Sequence, residues 1–327
     1  MMNTKTAMGR GMLAAGVLVA LSGRAQATET LEAVGKLAMP GTSQVGTARV
    51  MGMDATWVGV AEGSAALQAN PAGLGVLAGV ETGWHHASRL GGAVAETILA
   101  AVPVGKLGGL GVSVDYVDHG SFDSMDSSGK LTGTYRAGSV GGSLGWGCPV
   151  VADMSVGVAV RGVQQTLADS AYTSVAGDVG VLWKGMPNLT VGAAVANMGT
   201  SGSASALAMV LRAGASYTMD LGTISRLLMA AATEAQAGGV ARVDVGVEDT
   251  LFSRLAVRAG YRLNLATTKV TGLTGLTAGL GVTFGALALD YAYLPMGELG
   301  NSQRVSLTYR KVGAASHEAS SEPGGAQ

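Results

Sequence analysis

Arg254, Arg258 and Arg262 recur at four-residue spacing near the C-terminal end of the chain, just after Arg242, Asp244 and Glu248. Strand side chains an even number of residues apart share a face, so each set would line one side of its strand. A tight link through residues 249–253 would set Glu248 opposite Arg254 and Asp244 opposite Arg258. Two kinds of chemistry fit. Carboxylates facing guanidiniums form a ladder of charge-assisted hydrogen bonds. An arginine such as Arg258 without a carboxylate partner would instead take the carboxylate of a ligand in its planar fork. Neither chemistry makes or breaks a covalent bond.

Nothing else points to catalysis. The chain has no G-x-S-x-G, no H-E-x-x-H and no paired metal-ligand spacing. The glycine-rich "VGKLGGLGVSVD" lacks the phosphate-loop spacing and reads as a turn followed by a strand. His85 and His86 are adjacent, so on a strand they face opposite ways and cannot chelate one ion. The single cysteine, Cys148, has no intramolecular disulfide partner and no histidine close in sequence. The expectation is a non-enzyme without cofactor or metal. A net charge of -1 and a pI near 6.4 offer nothing to nucleic acid.

Charged residues make up only 13% of the 327, glycine supplies 52, and mean hydropathy is +0.35. A water-soluble domain of this size needs about twice that charge on its surface. Hydrophobicity repeats with period two from about residue 78 to 311. Leu255, Val257, Ala259, Tyr261 and Leu263 alternate with Ala256, Arg258, Gly260 and Arg262; Leu276, Leu280 and Val282 alternate with Thr277, Gly279 and Gly281. Fourteen such segments can be marked: 78–86, 93–103, 107–117, 132–148, 154–165, 172–184, 189–198, 206–218, 223–234, 240–249, 254–263, 273–284, 285–294 and 302–311. The second and ninth alternate less cleanly, which leaves a count of twelve open. Most have the length that a tilted strand needs to cross a bilayer.

The alternate face is mainly Gly, Ala and Ser. On a soluble sandwich that face would meet water and be rich in Lys, Glu and Thr, whereas a closed barrel leaves no strand edge unpaired. Links after the second, sixth, eighth and twelfth segments are short and those after odd-numbered ones longer, the longest being "DHGSFDSMDSSGKLTGT" at residues 118–134. Short turns at one end and long loops at the other are the outer-membrane arrangement. Trp84, Trp183, Tyr217, Tyr261, Tyr293 and Tyr309 lie near segment ends, where aromatic girdles form. The fold expected is all-β, a transmembrane antiparallel β-barrel of about fourteen strands with an N-terminal hatch in its lumen. The lumen is the expected side of the arginines, because each would cost about 2–4 kcal/mol facing lipid near the midplane.

Residues 1–27 have a basic start, an apolar stretch at 11–21 and Ala25-Gln26-Ala27, the order of a cleaved signal peptide. Residues 312–327 are polar and read as a disordered tail that leaves a periplasmic contact open. Residues 28–77 do not alternate. A barrel of more than about eight strands is too wide for its own side chains to fill, so this apolar, glycine-rich segment is expected to plug the lumen. It ends in "SAALQANPAGL". Ser64 would cap a short helix at 65–69, Asn70 before Pro71 would stop it and bond back to the turn, and Gly73 would supply a left-handed backbone.

"GTARVMGM" at residues 46–53, followed by "NPAGL" at 70–74, resembles the N-terminal signature of the FadL-like outer-membrane proteins. That superfamily includes long-chain fatty-acid transporters, PorV/PorQ-type proteins of a Gram-negative secretion system, and spirochaete relatives. The resemblance implies a fourteen-stranded barrel whose lumenal hatch contains the Asn-Pro-Ala element, here Asn70, Pro71 and Ala72. The chain departs from many relatives in having Ala69 before the asparagine, where they carry Trp, and Glu62 alone in place of an acidic pair. The expected function is uptake of a fatty-acid-like hydrophobic small molecule through the outer membrane of a diderm bacterium. Asn70, Pro71, Ala72, Gly73, Leu74 and Arg258 would bind or gate, and Asp244, Glu248 and Arg254 would form lumenal ion pairs. The partners are that molecule and outer-membrane lipid. The alternative is a PorV-like component that docks secreted proteins or secretion machinery.

Overall fold

The computed structural model describes residues 46–54, 56–201, 208–237, 241–265 and 274–312. The leader, residues 28–45 of the expected plug and the tail from residue 313 lie outside them. Fourteen strands follow in chain order: β1 Gly79–Ser88, β2 Val94–Pro103, β3 Gly109–Met125, β4 Leu131–Val151, β5 Met154–Leu167, β6 Ser170–Met186, β7 Leu189–Ser201, β8 Val210–Leu221, β9 Ser225–Gln236, β10 Ala241–Leu251, β11 Leu255–Asn264, β12 Leu276–Phe284, β13 Leu287–Pro295 and β14 Asn301–Val312. Each pairs antiparallel with its sequence neighbour, and β1 pairs with β14 from Gly79↔Val312 to Ser88↔Gln303, which closes the barrel. The count of twelve is excluded, because both weakly alternating segments hold full ladders to two neighbours.

Alternation decides which face turns out. Val257, Tyr261, Leu280 and Leu289 are exposed on the outside, while Ala256, Arg258, Thr277 and Asp290 are buried inside. An apolar exterior over a closed ladder is a transmembrane wall, since the strands within the closed part of the barrel pair with a neighbour on each side. Among the described residues no helix is long and apolar enough to cross a membrane.

Two loop expectations are corrected. The stretch 118–134 is not an irregular loop: β3 and β4 run on to 17 and 21 residues and turn only at 126–130. Its polar residues hold the hairpin themselves, with the Thr134 hydroxyl donating to Asp123 at 3.2 Å, the Thr132 hydroxyl to the Ser124 carbonyl at 3.0 Å, and Phe122 opposite Tyr135. The β5–β6 link, expected to be longer, is a tight turn in which Ala168 takes φ +54.

The described part of the N-terminal segment lies inside the barrel. It comprises α1 (Ala48–Gly52), a 3-10 turn (Thr56–Gly59), α2 (Ala66–Ala69) and a second 3-10 turn (Pro71–Val76). The α1 helix packs on β11 to β14, the first 3-10 turn on β7 to β10, and the second on β2 to β6. Its core residues Met53, Trp57, Leu67 and Leu74 are buried.

Candidate functional site

The Asn-Pro turn is a three-way fastener. The Asn70 carboxamide is 0% exposed. It donates to the Val58 carbonyl at 3.1 Å and to the Val181 carbonyl of β6 at 2.9 Å, and it accepts from the Ala72 amide at 3.2 Å. It therefore joins the two halves of the inner segment to each other and to the wall while capping the turn. Pro71 follows at the start of the 3-10 run, where its missing N–H costs nothing. The expected bond from Asn70 to the turn is present, and two expectations are corrected. Ser64 does not cap α2, whose N-cap is Ala65 with no side-chain bond; its amide and hydroxyl both donate to Glu81 on β1, each at 2.7 Å. Gly73 is not left-handed. A Cβ there would overlap the Ala61 carbonyl, so the position is small because two backbones meet.

The same cause explains the glycines on the inner face of the wall. A Cβ on Gly147, Gly157, Gly180 or Gly192 would collide with Gly75, Pro71, Asn70 or Val58, and one on Gly246 or Gly260 would press on Met53. These glycines form a girdle on which the inner segment rests backbone to backbone. Ser155, Ser216 and Thr277 place hydroxyls in the same girdle and donate to the carbonyls of Ala72 (2.9 Å), Gly59 (2.9 Å) and Gly52 (3.2 Å).

The ion pairs lie in the lumen in a different register from that expected. The β10–β11 ladder sets Glu248 opposite Arg258 and Asp244 opposite Arg262. Leu251 pairs with Leu255 across a turn of only 252–254, which shifts every pair by four residues relative to the longer link assumed. Arg254 consequently falls in the turn, exposed, and belongs to no lumenal pair. Arg258 donates to Glu248 at 2.5 Å and to Asp290 at 2.7 Å and is 5% exposed. With both sides of its guanidinium taken, it does not offer the open charge that the ligand-carboxylate reading needs.

Two residues of the inner segment, missed as site residues in the sequence, complete the ladder. Arg49 of α1 forms a fork on Glu248 (2.8 and 2.7 Å), reaches Glu62 at 2.6 Å, and lies 4.9 Å from the Trp57 ring centroid. Asp54 takes Arg262 at 2.6 Å; Arg262 also reaches Asp244 at 3.4 Å, Asp244 takes Arg242 at 3.1 Å, and Glu234 bridges Arg242 and Arg212 at 3.1 and 2.8 Å. Burial pushes the Asp54 carboxyl up to about 6, against the pull of Arg262, with Asp244 adding to the rise. The ladder is therefore a latch between inner segment and wall. Arg49 sits inside the quoted "GTARVMGM", but its partner is 199 residues away and only the fold shows it.

His85 faces the lumen and is buried, while His86 faces the other way and meets Glu96 at 2.6 Å. The six girdle aromatics, Trp84, Trp183, Tyr217, Tyr261, Tyr293 and Tyr309, are all exposed on the outer wall.

No protein-family model matches the chain, and no curated protein matches it. Solved structures do. The monoaromatic hydrocarbon channel CymD superposes with a TM-score of 0.55 at 12% identity, over 85% of this chain and 100% of that one. The toluene transporter TbuX of Ralstonia pickettii gives 0.54 at 14%, over 82% and 98%. The toluene transporter TodX of P. putida gives 0.52 at 12%, over 76% and 94%. At such identities the likeness is one of fold, so the chain has the barrel fold of these hydrocarbon channels and transporters.

Proposed function

We propose that this chain is an outer-membrane channel for hydrophobic small molecules, fatty-acid-like compounds among them, with residues 46–77 as its hatch. The observation that carries the reading is the seat itself. The lumen is occupied by a segment held by hydrogen bonds, ion pairs, backbone contact and apolar packing on the wall, with no covalent tie beyond its own chain, so passage requires that this segment move. Asn70, Pro71, Ala72, Gly73 and Leu74 form the fastened end, and Arg258 holds Glu248 in place for Arg49. The fold shared with proteins named as toluene transporters supports a hydrophobic cargo.

The test is uptake of labelled oleate and of toluene into proteoliposomes. A cysteine pair replaces Ala48 and Ser306, whose amide nitrogen and hydroxyl oxygen are 2.7 Å apart, in a Cys148→Ser background. Uptake should stop on oxidation and return on reduction. Absence of uptake of either probe by the reduced protein would reject transport, and unchanged uptake after oxidation would reject the moving hatch.

One observation favours the docking reading. Residues 121–125 and 131–135 lie in a stretch where β3 and β4 pair only with each other, beyond the last β2 and β5 partners. A two-stranded ribbon with both edges open is marginal alone. Docking predicts co-purifying protein that is lost when the ribbon is shortened, with uptake absent throughout.

A further inference from the structure

Arg254, removed from the lumen by the register, has a different setting. We propose that the turn-side end of β10 to β14 is a binding patch for the headgroups of anionic phospholipids. Arg254 lies in the β10–β11 turn and Lys311 near the end of β14, both exposed. The nearby acids are engaged elsewhere: Asp249 accepts the Ser225 hydroxyl at 2.5 Å, and Glu81 takes Arg310 at 2.6 Å. Among the described residues neither Arg254 nor Lys311 has an ion-pair partner.

Phe284 ends β12, between these cations in strand order, and Phe252 shares the turn of Arg254; at 70% and 66% exposed they are the two most exposed large apolar side chains among the described residues. Phe252 is carried at φ +52 and the next residue, Ser253, at φ +55. That backbone region favours glycine, and an aromatic residue rarely holds it. The turn thus keeps a bulky ring at a position where Gly or Asn would fold more easily. Tyr309 is exposed on the outer wall of β14, two residues before Lys311. Across two adjacent hairpins and the end of β14 the wall therefore presents aromatic rings at the height of the turns with two uncompensated cations beside them. Rings belong at the boundary between acyl chains and headgroups, and cations at that height meet phosphate. The combination fits a glycerophospholipid with net negative charge, the acyl chains on the rings and the phosphate on Arg254 and Lys311.

The experiment is native mass spectrometry of the full chain from micelles doped with phosphatidylglycerol or phosphatidylcholine. Wild type should retain phosphatidylglycerol in preference, and about 0.5 M salt should erase the preference by screening. Arg254→Gln with Lys311→Gln should lower retention about five-fold per cation, while Lys130→Gln at the opposite end should change nothing. Millimolar inorganic phosphate should not compete. Equal retention of the two lipids by wild type, full retention by the double variant, equal loss in Lys130→Gln, or displacement by inorganic phosphate would each overturn the proposal. If the double variant does not fold, the wild-type comparison at low and high salt decides. The inference requires a barrel seated in a bilayer and does not depend on transport.

Discussion

Replacing Asn70 by Asp separates a helix stop from a fastener. Aspartate has nearly the same volume and caps turns as well as asparagine does. If Asn70 served only to end α2, the substitution would be silent. In the structure it removes both donors of the carboxamide and leaves the carbonyls of Val58 and Val181 without them, at a position 0% exposed. The Val58 carbonyl left unpaired costs about 1–3 kcal/mol, while Val181 keeps its ladder partners, so the loss is roughly 1–3 kcal/mol before any cost of burying a carboxylate. At about 1.4 kcal/mol per tenfold, the equilibrium for leaving the seat shifts by roughly 5-fold to 150-fold. The Ala72 amide keeps its acceptor, so the turn itself is preserved. Hydrogen exchange of peptides spanning 46–77, read by mass spectrometry in detergent, should rise sharply while strand peptides stay protected. Wild-type exchange in Asn70→Asp, with the variant folded, would refute the fastener.

Three further outcomes follow from the same seat. Gly180→Ala should also release the inner segment, because its Cβ overlaps Asn70, whereas Gly162→Ala, with nothing within 4 Å, should not; limited proteolysis of residues 46–77 compares them. Arg258→Met should destabilise by about 3–5 kcal/mol, the cost of breaking a buried pair on one side, because Asp290 loses Arg258 and Glu248 keeps only Arg49; melting in detergent together with exchange at α1 measures it. Asp54 titrates near 6 when seated, above its ordinary value of 3.8, so the seated state binds the extra proton between those values. Seating should therefore strengthen as pH falls through 6 and weaken as it rises, and Asp54→Asn should flatten that window in exchange corrected for intrinsic rate.

The period-two pattern determined the barrel without help from tertiary contacts, because each strand's side chains must divide between lipid and lumen. All fourteen strands lie where the alternation puts them, and most of the short turns do too. The hairpin at 118–134 was hidden because Ser, Gly and Asp are compatible with both a loop and a paired ribbon, and pairing is a property of two segments. Register was hidden for the same reason: a four-residue shift in pairing moves Arg254 from an expected lumenal pair to an exposed turn, and no local feature of β10 or β11 records which register is taken. The glycine-rich inner face was visible in the composition, but its cause was not. Those glycines are small because another stretch of backbone, some 70 to 210 residues earlier in the chain, lies against them. Arg49 and Asp54 likewise gain their meaning only when a closed wall brings Glu248 and Arg262 to them. Periodicity is written residue by residue and can be read in one dimension, whereas close approach and charge pairing across a lumen exist only once the barrel has closed around its own N-terminal segment.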